Sequence, residues 1–137
     1  MYLLFMCVAN SARSQLAEGL ARRLFPGAEI KSAGSRPGKL NSIAVDVMNE
    51  IGIDISHHYP KSYDDLSPDF TASLDYVITL CAEEVCPVIV SKAKKIHWPF
   101  SDPVTKDPIS ESDAVKRFRE TRDAIQARLI ELKKEIE

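Results

Sequence analysis

Only three cysteines, Cys7, Cys81 and Cys86, occur in this 137-residue chain. An odd count argues against a purely structural set of disulfides. No apolar run approaches the ~20 residues needed to span a bilayer, and the apolar start lacks the charged leader of a signal peptide. These absences predict a cytoplasmic protein with no membrane partner. Thiols in that compartment are ordinarily reduced, so the three cysteines read as catalytic or redox-active rather than as staples. No basic block accompanies the net charge of −2, so no nucleic-acid partner is predicted. There is no internal repeat and no low-complexity stretch. The length suits one domain over residues 1–137 with a single core.

What is present begins with the apolar run Tyr2 to Met6, followed at once by Cys7-Val8-Ala9-Asn10-Ser11-Ala12-Arg13-Ser14. A cysteine after a strand, a five-residue loop, and Arg and Ser opening a helix are the parts of an oxyanion site. Backbone N–H groups of a tight turn feeding a helix N-terminus converge on one hollow, and the helix dipole adds positive charge. A cysteine at the rim of that hollow has its thiolate, the attacking species, stabilised. Arg13 offers a planar, permanently charged fork matched to two oxygens of a phosphate-like ion. Ser14 can donate its hydroxyl to the sulfur. Asn10 tolerates a left-handed backbone and can tie the loop by side-chain hydrogen bonds. Singly, each part has a plainer use: an inert buried cysteine, a solvated first-turn arginine, a serine cap. Together, at this spacing, they predict oxyanion binding by Val8, Ala9, Asn10, Ser11, Ala12, Arg13 and Ser14, with Cys7 as nucleophile.

The rest of the chain alternates strands and helices. Tyr2 to Met6 reads as a parallel strand buried on both faces. A helix follows from Ser14 to Phe25, ended by Pro26-Gly27, and Ala28 to Ala33 reads as a second strand. A loop from Gly34 to Leu40 leads to a helix capped by Asn41, with Gly52 beyond its end and Ile43, Val47, Met48 and Ile51 on one face. Ser56 to Pro68 reads as irregular, with a short helix near Tyr63 to Leu66. Asp75 to Leu80 and Lys95 to Trp98 are the remaining strands. Asp102 to Ser110 is a loop with two Asp-Pro pairs. The last helix runs from about Ser112 to Ile136, with Val115, Phe118, Ile125, Leu129, Leu132 and Ile136 at helical spacing. The order predicts an α/β fold: a four-stranded parallel sheet with helices on both faces. Ligands of such folds sit at the carboxyl ends of the strands, where Cys7, Cys81 and Asp102 should share one rim. His57 and His58 read as a solvated or hydrogen-bonded pair, His97 as structural, and Trp98 and Phe100 as packing.

The motif Cys-x5-Arg-Ser just after the first strand resembles the low-molecular-weight protein tyrosine phosphatase fold. The fuller match, Asn10-Ser11 followed by Ser14-Gln15-Leu16-Ala17-Glu18-Gly19, resembles the thioredoxin-coupled arsenate reductases built on that fold. Ser32-Ala33-Gly34, Ile51 to Ser56, Val77 to Cys81 and His97 to Pro103 follow in the order of that family, so the likeness covers nearly the whole chain. It implies arsenate as substrate and Asp102 as the general acid. It also implies a relay in which Cys81 attacks Cys7 and Cys86 then attacks Cys81, the last disulfide being reduced by thioredoxin or a similar dithiol donor. No bound cofactor is implied. The alternatives are a low-molecular-weight phosphatase and a non-catalytic oxyanion or redox sensor. Val104-Thr105 stands where the phosphatases usually place aromatics after the Asp-Pro, which disfavours the first; the lack of a partner domain disfavours the second. The sequence departs from the reductases in Ala12, where many carry a cysteine, and in the shorter spacing of Cys81 and Cys86. Some relatives bind potassium through Asn, Glu, Ser and Asp. Asn10, Glu18 and Ser32 match three of these, but Lys61 replaces the Asp, so no metal is predicted.

Overall fold

Tyr2–Cys7 forms the first strand, β1, of the computed structural model, which describes residues 1–82, 91–105 and 107–136. Leu3, Leu4, Phe5 and Met6 are all fully buried, because β1 is covered on both faces. Leu3 and Phe5 pack into one apolar cluster, Leu4 and Met6 into another, the alternation that a pleated strand imposes. The other strands are β2 (Glu29–Gly34), β3 (Tyr76–Thr79) and β4 (Lys94–His97). They pair in the order β2-β1-β3-β4, every pair parallel, which is the sheet the sequence predicts.

Helices α1 (Arg13–Leu24), α2 (Ser42–Asn49) and α4 (Glu111–Ile136) share one face. From α4, Phe118, Ile125, Leu129 and Leu132 enter this cluster with Leu16 and Leu20 of α1 and Val47 and Met48 of α2. Each such side chain contributes roughly 1.5–3 kcal/mol by leaving water. The first nine residues of α1, polar ones included, are buried, since the helix runs between the sheet, its neighbouring helices and the loop that precedes it. Among the described residues, the opposite face is covered by a 3₁₀ turn at Tyr63–Asp65 and a short α3 (Pro68–Ala72), through Leu66, Phe70 and Leu74, with Ala93 beside them.

The local signals explain most boundaries. The Asn41 side chain accepts from Ile43 N and Ala44 N and caps α2, and Gly52 past its end takes φ +80°, a conformation that favours glycine. The 3₁₀ turn falls where the short helix is predicted. Helix α3 lies outside the helices the sequence predicts, although Ser67 capping Phe70 N with proline at the first helical position is a proper start signal; five residues are too few to show an apolar period. Helix α1 begins at Arg13 rather than Ser14. Helix α4 begins at Glu111, where Ser110 Oγ accepts from Asp113 N.

Candidate functional site

Three chain segments meet where the strands end. Cys7 is the last residue of β1, paired in register with Gly34 of β2. Leu80 and Cys81 follow β3. The chain after β4 stays alongside β3, through Trp98 N to Thr79 O at 2.8 Å and Phe100 N to Leu80 O at 3.2 Å, and so carries Asp102 to the same rim. Arg13 ties the segments together. Its Nη1 donates to Phe100 O at 2.8 Å and to Leu80 O at 3.5 Å, and its Nη2 lies 3.8 Å from Asp102 Oδ2.

The loop 7–13 is held open by its surroundings. The carbonyls of Val8, Ala9 and Ser11 accept from Arg36 N, Gly38 N and Asn41 N at 2.9, 2.9 and 3.0 Å. A trans peptide sets its N–H opposite its C=O, so the N–H groups of Ala9, Asn10 and Ala12 turn the other way, as in an anion-binding nest. The Asn10 N–H reaches Cys7 Sγ at 3.3 Å. Asn10 adopts φ 52°, the left-handed conformation that its residue type tolerates. Gly34 allows the close approach: a Cβ there would lie 2.5 Å from Val8 O.

A cavity of about 210 Å³ opens over this loop, lined by Cys7, Val8, Ala9, Ser11, Ala12, Arg13 and Asp102. Cys7 is a free thiol, almost wholly buried. Asn10 and Ser14, also predicted to bind the oxyanion, are fully buried and do not line the cavity. They stand behind it and hold the sulfur. Ser14 Oγ lies 2.9 Å from Cys7 Sγ and accepts from Asn10 Nδ2 at 2.7 Å. Between the serine oxygen and the sulfur, either atom can be the donor. Asn10 Oδ1 in turn accepts from Lys61 N and Gln15 Nε2 at 3.0 and 3.1 Å. Cys81 is buried and disulfide-bonded; Cys86 lies outside the described residues. Asp102 is 45% exposed at its side chain and accepts from Val104 N at 3.0 Å.

Sequence reasoning missed the support behind the loop. Gln15 Nε2 also donates to Asn10 O at 3.0 Å, and its Oε1 lies 3.0 Å from His58 Nδ1. The His58 side chain is only 7% exposed and lies 3.4 Å from Glu18, so of the two histidines it is the hydrogen-bonded one, while His57 is exposed. Burial pushes the His58 pKa down, and the Glu18 carboxylate opposes that shift. No periodic signal marks such residues in a polar loop; Gln15 beside the motif serine was the available clue. Glu18 is buried and accepts from Ser32 Oγ at 2.6 Å and Arg22 Nε at 3.2 Å, with Lys61 Nζ at 3.9 Å. Burial lowers the Lys61 pKa, again opposed by Glu18. Lys61 thus sets its own charge beside Glu18, one of the three residues that match the relatives' cation ligands. Among the described residues no cluster of three His, Cys, Asp or Glu could hold a metal, and no helix is long and apolar enough to cross a membrane.

Comparison with known proteins agrees with this geometry. The chain matches the model of the low molecular weight phosphotyrosine protein phosphatase family over residues 2–137. It is 38% identical over 126 residues to arsenate reductase 1 of Staphylococcus epidermidis, covering 90% of this chain and 88% of that one. Among solved structures, an arsenate reductase in the phosphate-binding state superposes with TM-score 0.77 at 28% identity, covering all of both chains. The thioredoxin-dependent arsenate reductase of Corynebacterium glutamicum superposes with TM-score 0.72 at 29% identity, covering 98% of this chain and 61% of that one.

Proposed function

We propose, because the chain belongs to the low-molecular-weight phosphotyrosine protein phosphatase family and is similar to its arsenate reductases, that this protein reduces arsenate to arsenite by a three-cysteine relay. The observation that carries the reading is the arrangement around Arg13. That one side chain, rooted in the loop of a free Cys7, bonds to the carbonyl beside Cys81 and pairs with Asp102.

Arsenate enters the 210 Å³ cavity with its oxygens on the loop N–H groups and the Arg13 fork. Cys7 thiolate attacks arsenic while Asp102 protonates the departing oxygen, which leaves as water. An S–As(V) bond now joins enzyme and substrate. Cys81 thiolate attacks Cys7 Sγ, and the S–As bonding pair passes to arsenic, reducing As(V) to As(III). Arsenite leaves and a Cys7–Cys81 disulfide remains. Cys86 thiolate then attacks Cys81, expelling Cys7 as thiolate and forming Cys81–Cys86. Thioredoxin, or a similar dithiol, supplies the two electrons that reduce this last disulfide. A disulfide at Cys81 beside a free Cys7 is the pattern the relay would leave. No bound cofactor is needed, and the chemistry suits the reducing cytoplasm.

A phosphate ester meets the same loop and acid, but its S–P bond yields to water rather than to a thiol. Weak hydrolysis of small aryl phosphates therefore accompanies the main activity.

The test is arsenate-dependent NADPH oxidation with thioredoxin and thioredoxin reductase. Wild type should turn over, and Cys7→Ser, Cys81→Ser and Cys86→Ser should each abolish turnover. Aryl phosphate hydrolysis without arsenate reduction, lost only in Cys7→Ser, would instead make the protein a phosphatase with two bystander cysteines.

A further inference from the structure

We propose that a second cavity, behind the nucleophile loop and separate from it, binds a small doubly charged tetrahedral oxyanion of the sulfate and phosphate class. The proposal is independent of which oxyanion chemistry Cys7 performs. The cavity measures about 200 Å³ and is lined by Glu18 and Arg22 of α1, Lys31 of β2, and His57, His58, Tyr59 and Lys61 of the following loop. It is smaller than the ~300–1,000 Å³ of sites for drug-sized ligands. It shares no lining residue with the cavity over Cys7.

Its charge is unbalanced. Arg22, Lys31 and Lys61 face one carboxylate, leaving two positive charges even with both histidines neutral. The carboxylate is already engaged: Glu18 receives the Ser32 hydroxyl on one oxygen and Arg22 on the other, with Lys61 and His58 beside it. The cations are partly held in place without an anion, Lys61 Nζ 5.0 Å from the Tyr59 ring centroid and Lys31 Nζ 5.6 Å from that of Phe70. Arg22 Nη2 donates to Ile30 O at 2.8 Å. Preordered cations of this kind lose little side-chain entropy when an anion arrives.

The titration directions agree. After burial, the influences that lower Lys61 are Lys31 and Arg22, and those that lower His58 are His57, Arg22 and Lys61, with Glu18 opposing in both cases. Positive groups that repel one another's protons are the groups a dianion would relieve. Charge-assisted hydrogen bonds from guanidinium and ammonium donors suit a tetrahedral oxyanion.

The loop site also takes such ions, so the experiment must block it. Sulfate is titrated calorimetrically into the full chain, native and with Cys7 carboxymethylated. Two sulfates per native chain and one per carboxymethylated chain are expected. In the carboxymethylated protein, Lys31→Gln/Lys61→Gln should weaken the remaining site by about tenfold or more. Arg22→Gln/Lys31→Gln, which leaves the half-buried Lys61 in place, should do the same if the first variant fails to fold. No binding to the carboxymethylated chain would overturn the proposal. So would undiminished binding in a folded variant, or binding of potassium in place of sulfate.

Discussion

Gly34→Ala puts the rigidity of the nucleophile loop to a direct test. A methyl group built on Gly34 lies 2.5 Å from Val8 O, 3.0 Å from Asn10 N and 3.1 Å from Cys7 O, where ordinary contact begins near 3.4 Å. All three are backbone atoms, so no side chain can rotate away. Relief of the shortest contact needs about 0.9 Å of movement. Gly34 itself is pinned. It pairs in register with Cys7, its N–H donates to Lys61 O at 2.8 Å, and it bridges to Ser62. The movement therefore falls on the loop and carries the Asn10 N–H and the Cys7 sulfur out of line. A displacement of this size at a reacting centre costs on the order of 10²-fold in rate. Overpacking of a tight contact costs about 1–3 kcal/mol, or roughly 3–10 °C in Tm for a chain of this length. Coupled NADPH oxidation and aryl phosphate hydrolysis measure the first, and a thermal melt the second. If both activities stay within twofold of wild type, the loop is not held as described. Lower Tm with full activity would refute the reasoning too, since the strand rather than the loop would have absorbed the strain.

Asp102→Asn should lower the rate of arsenate reduction and of aryl phosphate hydrolysis alike, by about 10²–10⁴-fold, with the fold intact by circular dichroism; an effect on only one of the two would deny it a shared acid role. Asn10→Ala removes the side-chain bonds to Ser14, Gln15 and Lys61 and leaves φ 52° to a residue that resists it; a loss of about 1–3 kcal/mol should appear in urea melts along with slower alkylation of Cys7. Phe118→Ala, at the fully buried contact of α4 with the core, should cost about 3–5 kcal/mol in the same melts. Arg119 bonded to Glu50, with Arg122 alongside, lowers the Glu50 pKa from 4.5 to about 2. A depressed carboxylate stabilises the fold above its unfolded pKa and loses that effect as pH falls through the folded value. The Tm difference between wild type and Glu50→Gln should therefore be constant above about pH 5 and shrink between pH 4.5 and 2; a difference that grows toward acid would contradict the assignment.

Much of this molecule is legible in its amino-acid order because the relevant physics is local. A short unbroken apolar run before a turn suits a strand buried on both faces, and Tyr2 to Met6 is one. Asn41 before an apolar stripe suits a helix cap, and Gly52 suits the chain just past the helix end. Cysteine, loop, arginine and serine at fixed spacing between a strand and a helix read as an oxyanion site, because turn amides and a helix terminus make one wherever they are joined. Even the left-handed Asn10 could be named, since few residue types accept that conformation.

Tertiary structure decided what depends on contacts distant in sequence. It separated the loop residues that line the cavity from Asn10 and Ser14, which stand behind the sulfur. Segments 51 and 43 residues away, at Lys61 and His58, complete the network behind the loop, and no pattern within either segment reveals which side chain turns inward. Arg13 joins Leu80, Phe100 and Asp102 only because parallel strands end on one rim. Glu18, which in the sequence only matches a cation ligand of some relatives, becomes a buried carboxylate shared by serine, arginine, histidine and lysine. Sequence determines which groups are available and how each short segment bends; the packing of the sheet against its helices determines which of those groups lose water together, and charge and reactivity follow from that.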